Sequence, residues 1–161
     1  MKTIIGITGQ ISSGKSTAAA YLAGMHLPGA AIIPFAKPLK DLAYSMGWNG
    51  KKDDKGRRLL KLLGTECGRE CIHENIWVTM WRTAVKESEA TFIVADDVRF
   101  NNEAEAIIKE GGRLIRLTRC TDVAQPDHAS EVGIDSRLIT VTIENSGTIS
   151  ELCTALLREV E

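Results

Sequence analysis

Nowhere in the 161 residues does an apolar run approach the ~20 residues that a membrane span requires. Charge of one sign is also missing. Twenty Lys and Arg face 21 Asp and Glu, a formal net charge of −1, so no global field gathers nucleic acid or an anionic membrane. Cysteine is scarce, at four. Cys67, Cys71 and His73 have no second Cys/His pair at zinc spacing, which argues against a metal; they read as reduced, partly buried thiols. There is no internal repeat and no low-complexity linker, and no leader is expected ahead of the first apolar segment. These absences, with 43% hydrophobic and 25% charged residues, leave one cytoplasmic globular domain over 1–161.

What is present is a phosphate-binding loop. Residues 9–16 read Gly-Gln-Ile-Ser-Ser-Gly-Lys-Ser. An apolar, β-branched segment (Lys2–Thr8) precedes it and strong helix formers (Thr17–Leu22) follow, which is the strand–loop–helix context the motif requires. Gly9 and Gly14 let successive N–H groups turn into one concavity, and the helix N-terminus adds its positive end. Lys15 is expected to reach the β- and γ-phosphates of ATP and Ser16 to sit on Mg²⁺, with Ser13 and Thr17 beside them in the ATP-binding loop.

Further along, short apolar runs alternate with segments of helical period. Strands are expected near 30–35, 91–95, 114–117 and 138–143. Helices are expected from Leu39 to Met46, after Gly56, through Trp77, Met80 and Trp81, from Phe100 to Ile108, and from Ile149 to Val160. The alternation predicts a three-layer α/β/α fold on a five-stranded parallel sheet, with ligands beyond the carboxyl ends of its strands.

Ala95-Asp96-Asp97-Val98-Arg99 follows the third strand, where a P-loop enzyme keeps its metal-binding acid. Asp96 or Asp97 is expected to hold Mg²⁺ or bind the acceptor. Arg99 either reaches the acceptor or pairs with Glu103, four residues on. Lys40 in the Phe35–Asp41 segment, and Arg58 rather than Arg57, are candidates to meet an acceptor phosphate; Gly64-Thr65-Glu66 and Arg69 read as a basic patch at a helix start.

Taken in order, these motifs resemble the bacteriophage-encoded deoxynucleoside monophosphate kinases. The resemblance covers the P-loop, Phe-Ala-x-Pro-Leu-Lys-Asp at 35–41, Arg-Arg-Leu-Leu-x-x-Leu-Gly-Thr at 57–65, and Trp77-Val78. It continues through Asp97-x-Arg99-x-x-x-Glu103, Asp127-His128-x-x-Glu131-x-Gly133 and Asn145-x-Gly147. It implies transfer of the γ-phosphoryl group of ATP to a (deoxy)nucleoside monophosphate, with Mg²⁺. Trp77, Asp97, Arg99 and Glu103 would contact the acceptor, and Lys40 and Arg58 would stand near its phosphate and sugar. Residues 36–90 would form a helical acceptor-binding insertion and 120–137 a short lid, bracketed by Arg119 and Arg137 as candidates to meet the transferring phosphoryl group. Asn145 and Gly147 would border the adenine, and Asp96 would join Ser16 at the metal. The family often carries a basic residue early in the P-loop and Asp after its lysine; here stand Ile11, Ser12 and Ser16. Neither nucleic acid nor membrane is an expected partner, and the chain is expected as a monomer or homodimer. Two other readings remain: a P-loop kinase for another small acceptor such as dephospho-coenzyme A, and a non-catalytic ATP-binding switch.

Overall fold

The computed structural model describes residues 2–26, 28–119 and 133–160. Five strands form one sheet: β1 (Thr3–Gly9), β2 (Ala30–Ile32), β3 (Phe92–Ala95), β4 (Arg113–Thr118) and β5 (Val141–Glu144). They lie in the order β2-β3-β1-β4-β5, and every neighbouring pair is parallel. Successive side chains on a strand point to opposite faces, so a strand covered on both sides is apolar throughout. In β1, Ile5 and Ile7 meet Ala18 and Leu22 of α1 (Lys15–Met25) and Leu152 and Leu156 of α6 (Ile149–Val160). Ile4 and Ile93 share the other core with Trp81 and Val85 of α4 (Ile76–Glu87), and with Ala104 and Ile107 of α5 (Asn101–Lys109). The expected three-layer arrangement is the observed one.

Between β2 and α4 the chain makes a helical excursion. It comprises α2 (Lys37–Ser45), α3 (Asp54–Lys61) and a π-helical segment, Leu62–Ile72. Asp53 caps α3 by accepting from the Gly56 N–H at 2.9 Å. The period-3.6 reading foresees an ordinary helix here and a helix start near Gly64; the wider turn is a correction. Its cause is visible at Trp77. The buried indole packs on Gly68 and donates Nε1–H to the Gly64 carbonyl at 2.8 Å. An α-helical register would have given that acceptor to the N–H of residue 68. A side chain inserted into the ladder is a recognised cause of such distortion.

Other expectations shift. β2 ends at Ile32, although the Ile33 N–H still reaches the Val94 carbonyl at 2.8 Å. β5 begins at Val141, because Asp135 accepts from the Arg137 N–H at 2.9 Å and winds Ser136–Leu138 into a 3₁₀ turn. Met80 and Ile149, expected on apolar faces, are exposed, and so are Cys67 and Cys71, which are free thiols rather than partly buried ones.

Trp81 ties the excursion's neighbourhood to the sheet. It is fully buried, stacks on Phe35 with ring centroids 4.4 Å apart, and donates Nε1–H to the Ile33 carbonyl at 2.9 Å. Trp81→Phe should lower stability by about 1–3 kcal/mol, because it orphans a buried carbonyl while keeping most of the apolar area. Urea unfolding with an unchanged slope and a lower midpoint is the expected result; an unchanged midpoint would show that the indole N–H contributes nothing.

Candidate active site

The connections leaving the neighbours β1 and β3 run in opposite directions across the sheet, to β2 and to β4, and the crevice between two such strands is where ligands of open α/β sheets bind. The loop after β1 carries the motif. Gly9 and Gly14 hold φ of +146° and +98°, and Ser12, alone among the described non-glycine residues, holds +63°. A Cβ on Gly14 would stand 2.6 Å from the Asn145 amide nitrogen, so glycine is required there on two counts. Ser13 Oγ is buried and makes no hydrogen bond among the described residues. Lys15 Nζ donates to the Gly9 and Gln10 carbonyls at 2.7 and 2.6 Å, folding back over its own loop. Burial lowers the Lys15 pKa below the ordinary lysine value; the like charge of Arg99 lowers it further, and Asp96 opposes both.

The carboxylates after β3 divide their labour unevenly. The Ser16 hydroxyl donates to Asp96 Oδ2 at 3.2 Å, which joins two hard oxygen donors at the mouth of the P-loop. This donor set fits Mg²⁺. Asp97 turns inward instead. Its Oδ1 accepts from the Phe35 N–H at 2.8 Å and its Oδ2 from the Ala36 N–H at 2.9 Å, pinning the start of α2 to the end of β3. Burial raises its pKa against those two hydrogen bonds.

Glu103 is 4% exposed, and both its oxygens are engaged inside the protein. Oε1 meets Arg69 Nη2 at 2.7 Å, and Oε2 accepts from the N–H groups of Arg99 and Phe100 at 2.9 and 3.2 Å. The alternative pairing of Glu103 with the Arg99 guanidinium is therefore absent. Arg99 is exposed and makes no side-chain hydrogen bond or ion pair among the described residues.

On the opposite flank a cavity of about 260 Å³ is lined by Gly14, Thr17, Arg119, Asn145, Ile149 and Leu152. Ile149 and Leu152 supply its apolar part, and Thr17, Asn145 and Arg119 its polar part. Asn145 is buried; it donates Nδ2–H to the Ser13 carbonyl at 2.9 Å and so holds the P-loop from behind. A larger groove of about 560 Å³ runs between α4 and α5, away from the P-loop.

The remaining expectations scatter. Lys40 is half-buried and near enough to Asp97 to act on its charge. Arg58 is exposed on α3. Trp77 is buried with its N–H committed to Gly64. Arg137 lies in the 3₁₀ turn with its Nε 3.0 Å from Asp135 Oδ2. Of the expected lid, 120–132, with Asp127, His128 and Glu131, lies outside the described residues. Sequence reasoning missed three ties between distant segments: Arg69 to Glu103, Asp97 to 35–36, and Asn145 to Ser13. Only the spacing of Asn145 from the last helix hinted at any of them.

A family model for deoxynucleotide monophosphate kinases matches residues 48–156. The chain belongs to the deoxynucleotide monophosphate kinase family. Among its relatives is the deoxynucleoside-5'-monophosphate kinase of Escherichia phage T5, 33% identical over 97 residues, which are 55% of this chain and 38% of that protein. This chain thus matches well under half the length of the phage enzyme. An Acanthamoeba polyphaga mimivirus protein provisionally named a deoxynucleotide monophosphate kinase is 29% identical across 98% of this chain and 96% of its own length. In architecture the chain is similar to the tunicamycin resistance protein of Deinococcus radiodurans (TM-score 0.55, 16% identity, 99% and 96% covered). It is also similar to the APS kinase CysC of Mycobacterium tuberculosis (TM-score 0.50, 12% identity, 98% and 95% covered). The fold is that of P-loop kinases, and the family is one of phosphotransferases. Among the described residues no helix is long and apolar enough to cross a membrane, and no group of three or more acidic, Cys or His side chains forms a metal cluster.

Burial pushes the Glu103 carboxyl up to about 7; the Arg99 N–H and the Arg69 charge pull the other way, and Asp97 adds to the rise. A folded-state value above the ordinary 4.5 means the folded protein binds the extra proton between those limits. Its contribution is full at low pH and is lost as pH rises through about 7. The stability of wild type relative to Glu103→Gln should therefore fall by on the order of 2–3 kcal/mol from about pH 5 to about pH 8. Chemical denaturation of both proteins across that range measures it, and a flat difference would contradict the assignment.

Proposed function

We propose that this protein transfers the γ-phosphoryl group of ATP to a deoxynucleoside monophosphate. The observation that carries the reading is electrostatic. Lys15 and Arg99 approach the same crevice from the P-loop and from the end of β3, closely enough that the Arg99 charge lowers the Lys15 pKa. Two half-free cations facing one space, above a loop of inward-turned N–H groups, suit a polyanion larger than one phosphate group. Family membership supports a deoxynucleotide as its other half.

In this reading ATP lies with its base in the cavity beside Arg119 and Asn145, and its β- and γ-phosphates over residues 9–17, where Gly9, Ser13, Gly14 and Thr17 supply backbone and hydroxyl contacts. Ser16 and Asp96 would hold Mg²⁺, which would supply neutralisation of phosphate charge. The acceptor enters from the α2–α3 side, past Lys40 and Arg58, with Arg99 on its phosphate. An acceptor phosphate oxygen attacks the γ-phosphorus in line as the bond to the ADP oxygen breaks. No protein nucleophile is involved; the protein contributes orientation and fixed positive charge. Trp77, Asp97 and Glu103 act in this scheme by fixing the walls, since their polar atoms are already bound within the protein. Arg137 and residues 120–132 are proposed to close over the transferring group, and Gly147 to border the base. The reaction is placed in the cytoplasm, with the protein a monomer or homodimer.

ADP formation with Mg-ATP and each deoxynucleoside monophosphate tests this. Lys15→Ala should lose about 10²–10³ in rate, the usual cost of one transition-state charge contact. Arg99→Ala should lower kcat/KM for the acceptor by at least about tenfold, or 1.4 kcal/mol of transition-state binding, while ATP affinity stays near wild type. Turnover independent of any acceptor would favour the switch reading, and turnover with dephospho-coenzyme A alone the other kinase.

A further inference from the structure

Arg69 has no place in the scheme above, yet it occupies the most constrained position of any arginine described. Its side chain is 13% exposed and its partner's is 5%. One guanidinium nitrogen, Nη2, meets Glu103 Oε1 at 2.7 Å, and the other, Nη1, donates to the Glu74 carbonyl at 3.2 Å. The guanidinium plane lies over the Phe100 ring, 4.0 Å from its centre. Three contacts therefore fix one side chain, two of them to the start of α5 and the third to Glu74 ahead of α4.

The second oxygen of Glu103 shows where this fixation ends. Oε2 accepts from the N–H groups of Arg99 and Phe100, the two residues that link the end of β3 to α5. Those N–H groups have no strand or helix partner, so the carboxylate alone satisfies them among the described residues. Glu103 can hold them only if its own rotamer is held, and Arg69 holds it from the far side. Phe100, gripped at its N–H by Glu103 and at its ring by Arg69, closes the unit. The Arg99 side chain projects from this braced backbone with no hydrogen-bond or ion-pair partner among the described residues.

A buried ion pair is a weak device for stability, because the desolvation of both charges offsets most of their attraction. An apolar pair would fill the same volume at no electrostatic cost. It would not, however, bind two backbone N–H groups.

We propose that Arg69 is a positioning residue for the acceptor side of the site: through Glu103 and Phe100 it sets the backbone of residues 99–100 and so aims Arg99 into the crevice. The inference rests on the kinase reading for its kinetic consequence, though not for its structural one. It assigns to the π-helical segment a role in the chemistry, since that segment delivers Arg69 to a carboxylate 34 positions further along the chain. A guanidinium is needed because one planar group must serve a carboxylate, a carbonyl and an aromatic face together, which an ammonium cannot do.

The test is a mutant cycle on the full chain with Mg-ATP and a deoxynucleoside monophosphate: wild type, Arg69→Ala, Arg69→Lys, Arg99→Ala and the double Arg69→Ala/Arg99→Ala. Misaiming a contact by about an ångström costs about 100-fold, so Arg69→Ala should lower acceptor kcat/KM by about 10- to 100-fold. Affinity for a fluorescent ATP analogue should stay within about twofold of wild type. Arg69→Lys should recover little of the loss. The double variant should be no worse than Arg99→Ala, because Arg69 acts through Arg99; effects that multiply would overturn the proposal, as would wild-type kinetics in Arg69→Ala. Should Arg69→Ala fail to fold, Phe100→Leu keeps the ion pair, removes the stacking face and is read in the same cycle. Amide hydrogen exchange at Arg99 and Phe100 needs no substrate. Their protection should fall by at least about tenfold in the Arg69 or Phe100 variant, and unchanged protection would overturn the proposal whatever the activity. Absence of acceptor-dependent turnover in wild type would instead sink the kinase reading and leave exchange to decide the positioning.

Discussion

The parallel pairing of β1 with β3 is the constraint on which the rest depends. Its register sets Gly6 against Ala95, so the P-loop and the Asp96–Arg99 segment leave the sheet at the same edge and within a few residues of one another. Parallel strands oblige each connection to cross back over a face of the sheet. Every crossing therefore deposits its outgoing loop at the carboxyl edge, and that is how residues about 80 positions apart in sequence, Ser16 and Asp96, come within hydrogen-bonding distance. Were β3 displaced by one residue, Phe92 and Val94 would exchange cores with Ile93 and Ala95, and Asp96 would leave its place beside Ser16.

The electrostatics of that edge follow from its geometry. Lys15 is partly desolvated and repelled by Arg99, and it rests on two carbonyls of its own loop. Like charges held this close favour an anion bound between them, the charge a polyphosphate would bring. Asp96 tempers the repulsion and, through Ser16, supplies the only side-chain oxygen pair described at the loop's mouth.

How far all this was legible in the sequence depended on range. The P-loop is a local motif whose flanks confirm it, and its glycines have the backbone angles the motif demands. Strands β1 and β3 were legible because burial on both faces leaves an apolar run, and β4 through its apolar Leu114, Ile115 and Leu117. β5 was displaced because a side-chain cap at Asp135 overrides the apolar period from Leu138 onward. The π-helical turn was not legible at all, since its origin is an indole from the next helix. Carboxylates were the hardest to apportion. Asp96 and Asp97 are chemically identical neighbours, and alternation along an extended chain sends one toward Ser16 and the other toward the N–H groups of residues 35–36. Sequence spacing suggested Arg99 and Glu103 as partners on a helix face, but Arg99 precedes α5, where that spacing rule has no force.

Three loops converge on the proposed site, and one buried side chain restrains each. Asn145 binds the Ser13 carbonyl, Asp97 binds the N–H groups of residues 35–36, and Glu103 binds those of residues 99–100. Loops at a ligand site cannot satisfy their backbone by pairing with one another, because the ligand must occupy the space between them. A carboxylate or carboxamide reaching in from a neighbouring element solves this without filling the crevice, and it fixes the loop at a single point. Such a restraint does not itself engage the cation near it: Lys15 beyond Ser13, Lys40 beyond Ala36, Arg99 at the third. The residues a sequence motif singles out as acidic contacts are then of two kinds, those that meet the ligand and those that hold the backbone from which the ligand is met. Hydrogen bonding separates them: Asp97 and Glu103 spend both oxygens on groups of the protein, whereas Asp96 meets only the Ser16 hydroxyl among the described residues.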